Sequence, residues 1–199
     1  ATASLVEEQD LEKALRNIVE RACSFMGIPH SHIILLEPDR QTFTVKFGQG
    51  RFADQIGKTI RFNGKGLIGE VLSTGRFVIV DDYPNWPQRI EAEGTAGMTA
   101  IVQAPLTVDG KIIGMIGFAS FGEPLSIDRE KLILLEQYAT IAAVTIRNLL
   151  VHQEMNRLAY SDTLTDLPDR AHLHTYLREE MLKAGCDESA GALLRIDLD

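Results

Sequence analysis

The feature that most restricts this chain is a helical pattern that begins at Ser126 and persists to about Tyr160 with no glycine or proline inside it. At the α-helical rise of about 1.5 Å per residue, such a helix reaches about 50 Å, more than the width of a small domain. It must leave the domain that starts it. The pattern therefore divides the 199 residues into a first domain over 1–150, an exit helix over 126–160 that the first domain shares, and the start of a second domain over 161–199.

The residues before the exit helix alternate between helical and strand signals. Leu5, Leu11, Leu15, Ile18, Val19 and Ala22 recur at helical spacing, and Gly27-Ile28-Pro29 stops that helix. Ser31 to Leu36 predicts a buried strand, Glu37-Pro38-Asp39-Arg40 a turn, and Thr42 to Phe47 a partner strand of period two. Four glycines between Gly64 and Gly75 predict a glycine turn feeding a short helix that Gly75 caps. Phe77 to Val80 predicts a short strand, Asp81-Asp82 a helix cap, and Tyr83 to Gly97 a polar, irregular stretch. Thr99 to Leu106 and Ile112 to Phe118 predict a hairpin, because Asp109-Gly110 between them is the strongest short-range hairpin signal. Beyond Leu167-Pro168 come a third helical stretch to Lys183, a loop, and a strand over Ala192 to Asp199. A buried strand needs neighbours and none follow, so the second domain is expected to be incomplete.

Composition excludes several function classes. Hydrophobic residues make up 45% and charged residues 24% of the chain, as in ordinary water-soluble domains. A net charge of -8 without a dense Lys/Arg cluster repels a polyphosphate backbone, so nucleic acid is not an expected partner. No run approaches the about 18 apolar residues of a membrane span, and residues 1–10 lack the basic and apolar regions of a leader. Cys23 and Cys186 are far apart and each alone, which offers neither a disulfide framework nor a paired-cysteine motif and suits a reducing cytoplasm.

In order along the chain, Gly64-Lys65-Gly66-Leu67-Ile68-Gly69, Val80-Asp81-Asp82-Tyr83, Trp86-Pro87 with Arg89, Ala104-Pro105-Leu106 and Ile113-Gly114-Met115-Ile116-Gly117 resemble the GAF domain pattern over about residues 10 to 150. The resemblance implies an α+β fold: a GAF-type antiparallel sheet flanked by helices, with a ligand pocket on the other side, a long exit helix, and then an incomplete α/β cyclase domain. Leu158-Ala159-Tyr160, Asp162, Leu164-Thr165 and Leu167-Pro168-Asp169-Arg170 resemble the opening of the diguanylate cyclase (GGDEF) domain, with Asp169 where that family usually has Asn. Arg195 to Asp199 is similar to the strand whose first Asp, here Asp197, helps bind the catalytic divalent metal. Without the resemblance, Asp197 is simply a strand end. The complete protein is thereby expected to be an enzyme that uses magnesium and turns GTP into cyclic di-GMP. These 199 residues hold no catalytic signature, and no cyclic di-GMP is expected from them with magnesium or manganese.

Asp82, Tyr83, Trp86 and Arg89 combine acidic groups, aromatic planes and a guanidinium, a set suited to stacking a planar ligand and pairing with an anionic group. The plainer reading is that Asp82 caps a helix and Trp86 covers the core edge. Met98, Gln103, Phe118 and Ser120 are expected to face the same cavity if the strands pair as the resemblance implies, and Gln103, a polar residue in an apolar strand, needs a partner. The Asn-Lys and Phe motif of cyclic-nucleotide-binding relatives is missing around Ser120-Phe121, Leu125 and Asp128-Arg129. A bilin or redox chemistry lacks the cysteines it needs, and His30-x-His32 and His172-x-His174 lack a third metal ligand.

Leu135, Ala139, Ala142, Ile146, Leu149, Gln153, Asn156 and Tyr160 alternate steps of four and three, which predicts a parallel homodimer through the exit helix. Alternatively, the first half of this stripe packs on its own sheet or on the Leu5 to Ala22 helix. Three functions follow: a small-molecule sensor that moves two cyclase domains, a ligand-free dimerisation module, or a reductase, which the cysteine count disfavours.

Overall fold

The computed structural model describes residues 2–90, 93–122, 125, 127–160, 173–174, 176–178, 180–182 and 194. The chain divides into two units, residues 1–149 and 150–199.

The first unit opens with α1 (Thr2–Met26), whose Leu15, Val19, Ala22, Cys23 and Met26 are buried. Gly27 ends it in the left-handed conformation at φ 69°, and the Ile28 N–H returns to the Cys23 carbonyl at 3.2 Å. β1 (His30–Leu36) and β2 (Thr42–Gln49) pair antiparallel. Their turn is held by the Asp39 carboxylate, which accepts the backbone N–H groups of Gln41 and Thr42, each at 2.9 Å. A 3-10 turn (Gly50–Gln55) then buries Phe52, and β3 (Thr59–Arg61) pairs with β2. Three exposed residues carry no legible period, so this strand is invisible in the sequence.

α2 (Gly66–Thr74) ends at Gly75, φ 65°, as the glycine pattern predicts. β4 (Val78–Val80), β5 (Ala100–Val108) and β6 (Lys111–Ser120) follow. Asp109 at φ 50° and Gly110 at φ 74° both occupy the left-handed region that a two-residue hairpin turn demands. α3 (Arg129–Tyr160) is one continuous helix, and Asp128 Oδ1 accepts the Lys131 N–H at 2.8 Å as its cap. No helix among the described residues is long and apolar enough to cross a membrane.

The strands form one sheet in the order β3-β2-β1-β6-β5-β4, every neighbouring pair antiparallel. One side is sealed by α1 and α3 over Ile33, Leu35, Phe47, Val102, Ala104, Leu106, Ile116 and Phe118. This corrects the expected dimer seam: Leu135, Ala139, Ala142 and Ile146 are buried in their own domain's core, and Leu149 is half-buried. A helix on a sheet must first present an apolar stripe to that sheet, and residue spacing cannot tell this stripe from a coiled-coil one. The side chains of Gln153, Asn156 and Tyr160 lie outside the described residues.

In the second unit, helical residues occur at 173–174, 176–178 and 180–182, within the third helical stretch read from sequence. The cyclase-like residues 161–170, the expected strand over 192–199 and the metal-binding role of Asp197 fall outside the described residues.

Candidate functional site

Strand alternation turns His32, Gly117 and Gln103 toward the side of the sheet that carries α2. They form one row, since His32 of β1 and Gln103 of β5 both pair with Gly117 of β6. A Cβ at Gly117 would collide with the His32 ring and stand 2.9 Å from its Nε2, so the glycine is what lets the imidazole lie across the sheet.

His32 is 9% exposed, and its Nδ1 has no hydrogen-bond partner. Burial pushes its pKa down to about 4, which leaves the ring neutral at pH 7. The ring stands 4.6 Å from that of Phe52. Gln103, 2% exposed, donates an amide N–H to Met115 Sδ at 3.2 Å, a weak acceptor for a buried amide. These polar groups divide the apolar residues of this face. Phe52, Val80, Tyr83, Met98, Ile101 and Ala119 cluster on one side of the row, and Ile34, Phe43, Val45, Val71 and Met115 on the other.

Among the described residues of the segment over 81–98, hydrogen bonds run both to neighbouring elements and to the segment's own carbonyls. The Tyr83 N–H donates to the Thr99 carbonyl at 2.8 Å, and the Tyr83 hydroxyl to the Ile90 carbonyl at 3.0 Å. Burial raises the Tyr83 pKa despite that bond. Gln88 Nε2 donates to Glu70 Oε2 at 3.1 Å, linking the segment to α2. Trp86 is half-buried against the Tyr83 cluster, their rings 6.0 Å apart.

Among the residues expected to form the site, Tyr83, Trp86 and Met98 come together in one apolar cluster. Gln103 lies on the same side of the sheet. Asp82 and Arg89 are exposed, and Arg89 Nη1 donates to the Pro84 carbonyl at 2.9 Å. Two expectations are corrected. Residues 81–90 form turns, not a helix, so Asp82 caps none; its carboxylate accepts the Asn85 side-chain N–H at 2.8 Å. Phe118 is fully buried on the α1 and α3 side, because odd-numbered residues of β6 face α2 and even-numbered ones the helices. Ser120 ends β6, where its backbone carbonyl accepts the Thr99 N–H at 2.8 Å, and it lines a concavity of about 460 Å³ together with Met26, Pro29, His30 and Phe121.

His32 and Phe52 were missed. The signal for His32 was available: like Gln103, it is a polar residue inside an apolar strand. Its neighbour His30 instead accepts the Arg51 N–H at Nδ1, 3.2 Å away. Among the described residues no group of three His, Cys, Asp or Glu is placed to hold a metal. Cys23 lies on the helix side, donates to Ser31 Oγ at 3.2 Å, and has its thiol pKa raised by burial.

The family model for the GAF domain matches residues 8–147. No curated protein matches the chain. Among solved structures, it is similar to the GAF domain of a phosphoenolpyruvate-protein phosphotransferase from Coxiella burnetii, with TM-score 0.65 and 20% identity over 72% of this chain and 86% of that one. A GAF domain/HD domain protein from Geobacter sulfurreducens aligns with TM-score 0.63 and 10% identity over 72% of this chain and 96% of that one. A type II free methionine-R-sulfoxide reductase from Thermoplasma acidophilum aligns with TM-score 0.61 and 14% identity over 72% and 96%. The family match and the six-stranded antiparallel sheet with flanking helices agree, and the chain belongs to the GAF domain family, a family of sensory and regulatory domains.

Proposed function

We propose that this GAF domain is the small-molecule sensor of a diguanylate cyclase, acting through α3 in a chain that works as a homodimer. The observation that carries the sensor reading is the row His32, Gly117, Gln103: a neutral imidazole with an unpartnered Nδ1 and an amide set against a thioether, on a buried wall beside the Tyr83 to Met98 segment. Buried polar groups without good partners lower stability, and a ligand that bonds to them restores it. The cyclase reading is supported by the resemblance of residues 158–170 and 195–199 to the opening of that domain. On this reading Asp197 helps hold the magnesium that serves GTP.

Reductase chemistry is not favoured. Cys23, buried and bonded to Ser31, belongs to the opposite side of the sheet from His32 and Gln103.

The test is mass spectrometry of small molecules released when the purified chain is denatured, done in parallel on a His32→Leu, Gln103→Leu double variant. A molecule released in stoichiometric amount from the parent and absent from the variant is the expected result. No released molecule, and no rise in melting temperature with any member of a metabolite panel, leaves the ligand-free dimerisation module.

A further inference from the structure

The concavity of about 460 Å³ into which Ser120 opens lies where α1 ends and α3 begins, and none of its lining residues belongs to the row His32, Gly117, Gln103. The buried Met26 and Ile28 and the half-buried Phe121 give it apolar walls; His30, Ser120 and Lys131 are its polar residues. A volume of that size holds a small organic molecule, and an apolar wall with a few placed polar groups suits one.

The polar residues offer donors. His30 Nδ1 accepts the Arg51 N–H at 3.2 Å, which puts the proton of the neutral ring on Nε2 and makes that atom a donor. Among the described residues Nε2 has no hydrogen-bond partner. Burial and the Arg51 guanidinium both lower the His30 pKa, so the ring is neutral at pH 7. Its position is fixed: the Phe121 ring meets it edge-on with centroids 5.1 Å apart, and a Cβ at Gly50 would collide with Nδ1. Lys131, half-buried in the first turn of α3, brings a positive charge to the same cavity. The Arg51 guanidinium stands 5.1 Å from the centroid of the Phe121 ring. No carboxylate is among the described lining residues; Asp128 and Glu130, close to Lys131 in sequence, do not line the cavity. In a chain of net charge -8, such a cavity favours an anion.

We infer that this cavity is a ligand site of its own, for a small carboxylic acid with an apolar body: the Lys131 ammonium and the His30 Nε2–H take the carboxylate oxygens, and Met26, Ile28 and Phe121 enclose the body. Two donors match the two oxygens of a carboxylate, whereas a phosphate dianion asks for more, typically an arginine fork, and no arginine lines the cavity. Met26 ends α1 and Lys131 opens α3, so a bound acid ties both helices to the sheet and raises the melting temperature.

The experiment is calorimetry of the full chain at neutral pH with benzoate, its neutral analogue benzamide, and inorganic phosphate. Benzoate is expected to bind with a Kd below about 1 mM, benzamide at least about tenfold more weakly, and phosphate more weakly than benzoate. Lys131→Met and His30→Phe should each weaken benzoate about tenfold. Both side chains are half-buried, and the phenyl ring keeps the contact with Phe121, so melting without ligand should hardly move. The His32→Leu, Gln103→Leu variant should bind benzoate as the parent does, which separates this site from the sheet row. Should a variant fail to fold, histidine NMR of the parent reads the same contact: benzoate should shift the His30 imidazole resonances and leave those of His32 in place. No benzoate binding up to about 10 mM, equal affinity for benzamide, tighter binding of phosphate, unchanged affinity in both Lys131→Met and His30→Phe, or loss of binding in the sheet-row variant overturns the site.

Discussion

The two sides of the sheet are both buried but are built differently. On the helix side, one continuous apolar cluster runs from Leu15 of α1 through the strands to Ile146 of α3, and its thiol and hydroxyl, Cys23 and Ser31, bond to each other. On the α2 side the apolar residues fall into two clusters, with His32, Gly117 and Gln103 across the break. A wall that only has to be stable is better continuous and apolar. On the sensor reading proposed above, the polar groups on the other wall are where stability is given up for recognition.

The largest effect that tests this contrast is expected on the helix side. Phe118→Ala removes a fully buried ring from the continuous cluster and should lower unfolding free energy by about 3–5 kcal/mol, read from urea melts. A loss below about 1 kcal/mol would mean that this face is not the stability core.

On the α2 side, pH is the sharper probe. The His32 imidazole titrates at an ordinary 6.5 in the unfolded chain and at about 4 in the folded one. Its folded pKa is lowered, so below pH 6.5 the unfolded state binds the extra proton. The stabilisation is complete above 6.5 and is lost as pH falls toward 4, up to about 3 kcal/mol. His32→Gln should flatten that part of the stability profile relative to the parent. An unchanged slope would show that the imidazole is not held neutral by burial.

Smaller still is the effect of the loop. Trp86→Ala and Arg89→Ala should each weaken the released ligand's binding by about 1 kcal/mol and leave folding nearly intact, because Trp86 is half-buried and Arg89 exposed. Calorimetry with that ligand decides, and unchanged affinity in both variants would confine recognition to the sheet row.

Local signals were legible where one residue type has a conformational monopoly. Gly27, Gly75 and Asp109-Gly110 each occupy the left-handed region, and the helix ends and hairpin turn stand where those residues place them. The candidate site was half legible. Gln103 stands out as polar among apolar neighbours and is buried, yet His32 carries the same signal two strands away and is obscured in the sequence by His30 two residues before it. Asp82 has the sequence position of a cap because it follows a strand, but whether a helix starts there depends on the turns of residues 81–90, which are held by Thr99, Glu70 and the segment's own carbonyls.

What the sequence determined by itself was the order of the elements other than β3 and the turns of residues 81–90, and the existence of a helix too long for one domain, since these depend on periodicity and on glycine and proline placed along the chain. Tertiary structure decided which face each residue serves. Phe118 and Gly117 differ by one residue and lie on opposite sides of the sheet, a parity set by the pairing of β6 with β1 and β5. α3 carries two apolar stripes of similar spacing, and only the docking of the helix on the sheet assigns Leu135 to Ile146 to the core and leaves Ile141 to Met155 facing out. Spacing along a chain encodes an angle around a helix or a side of a strand, but not what lies in that direction.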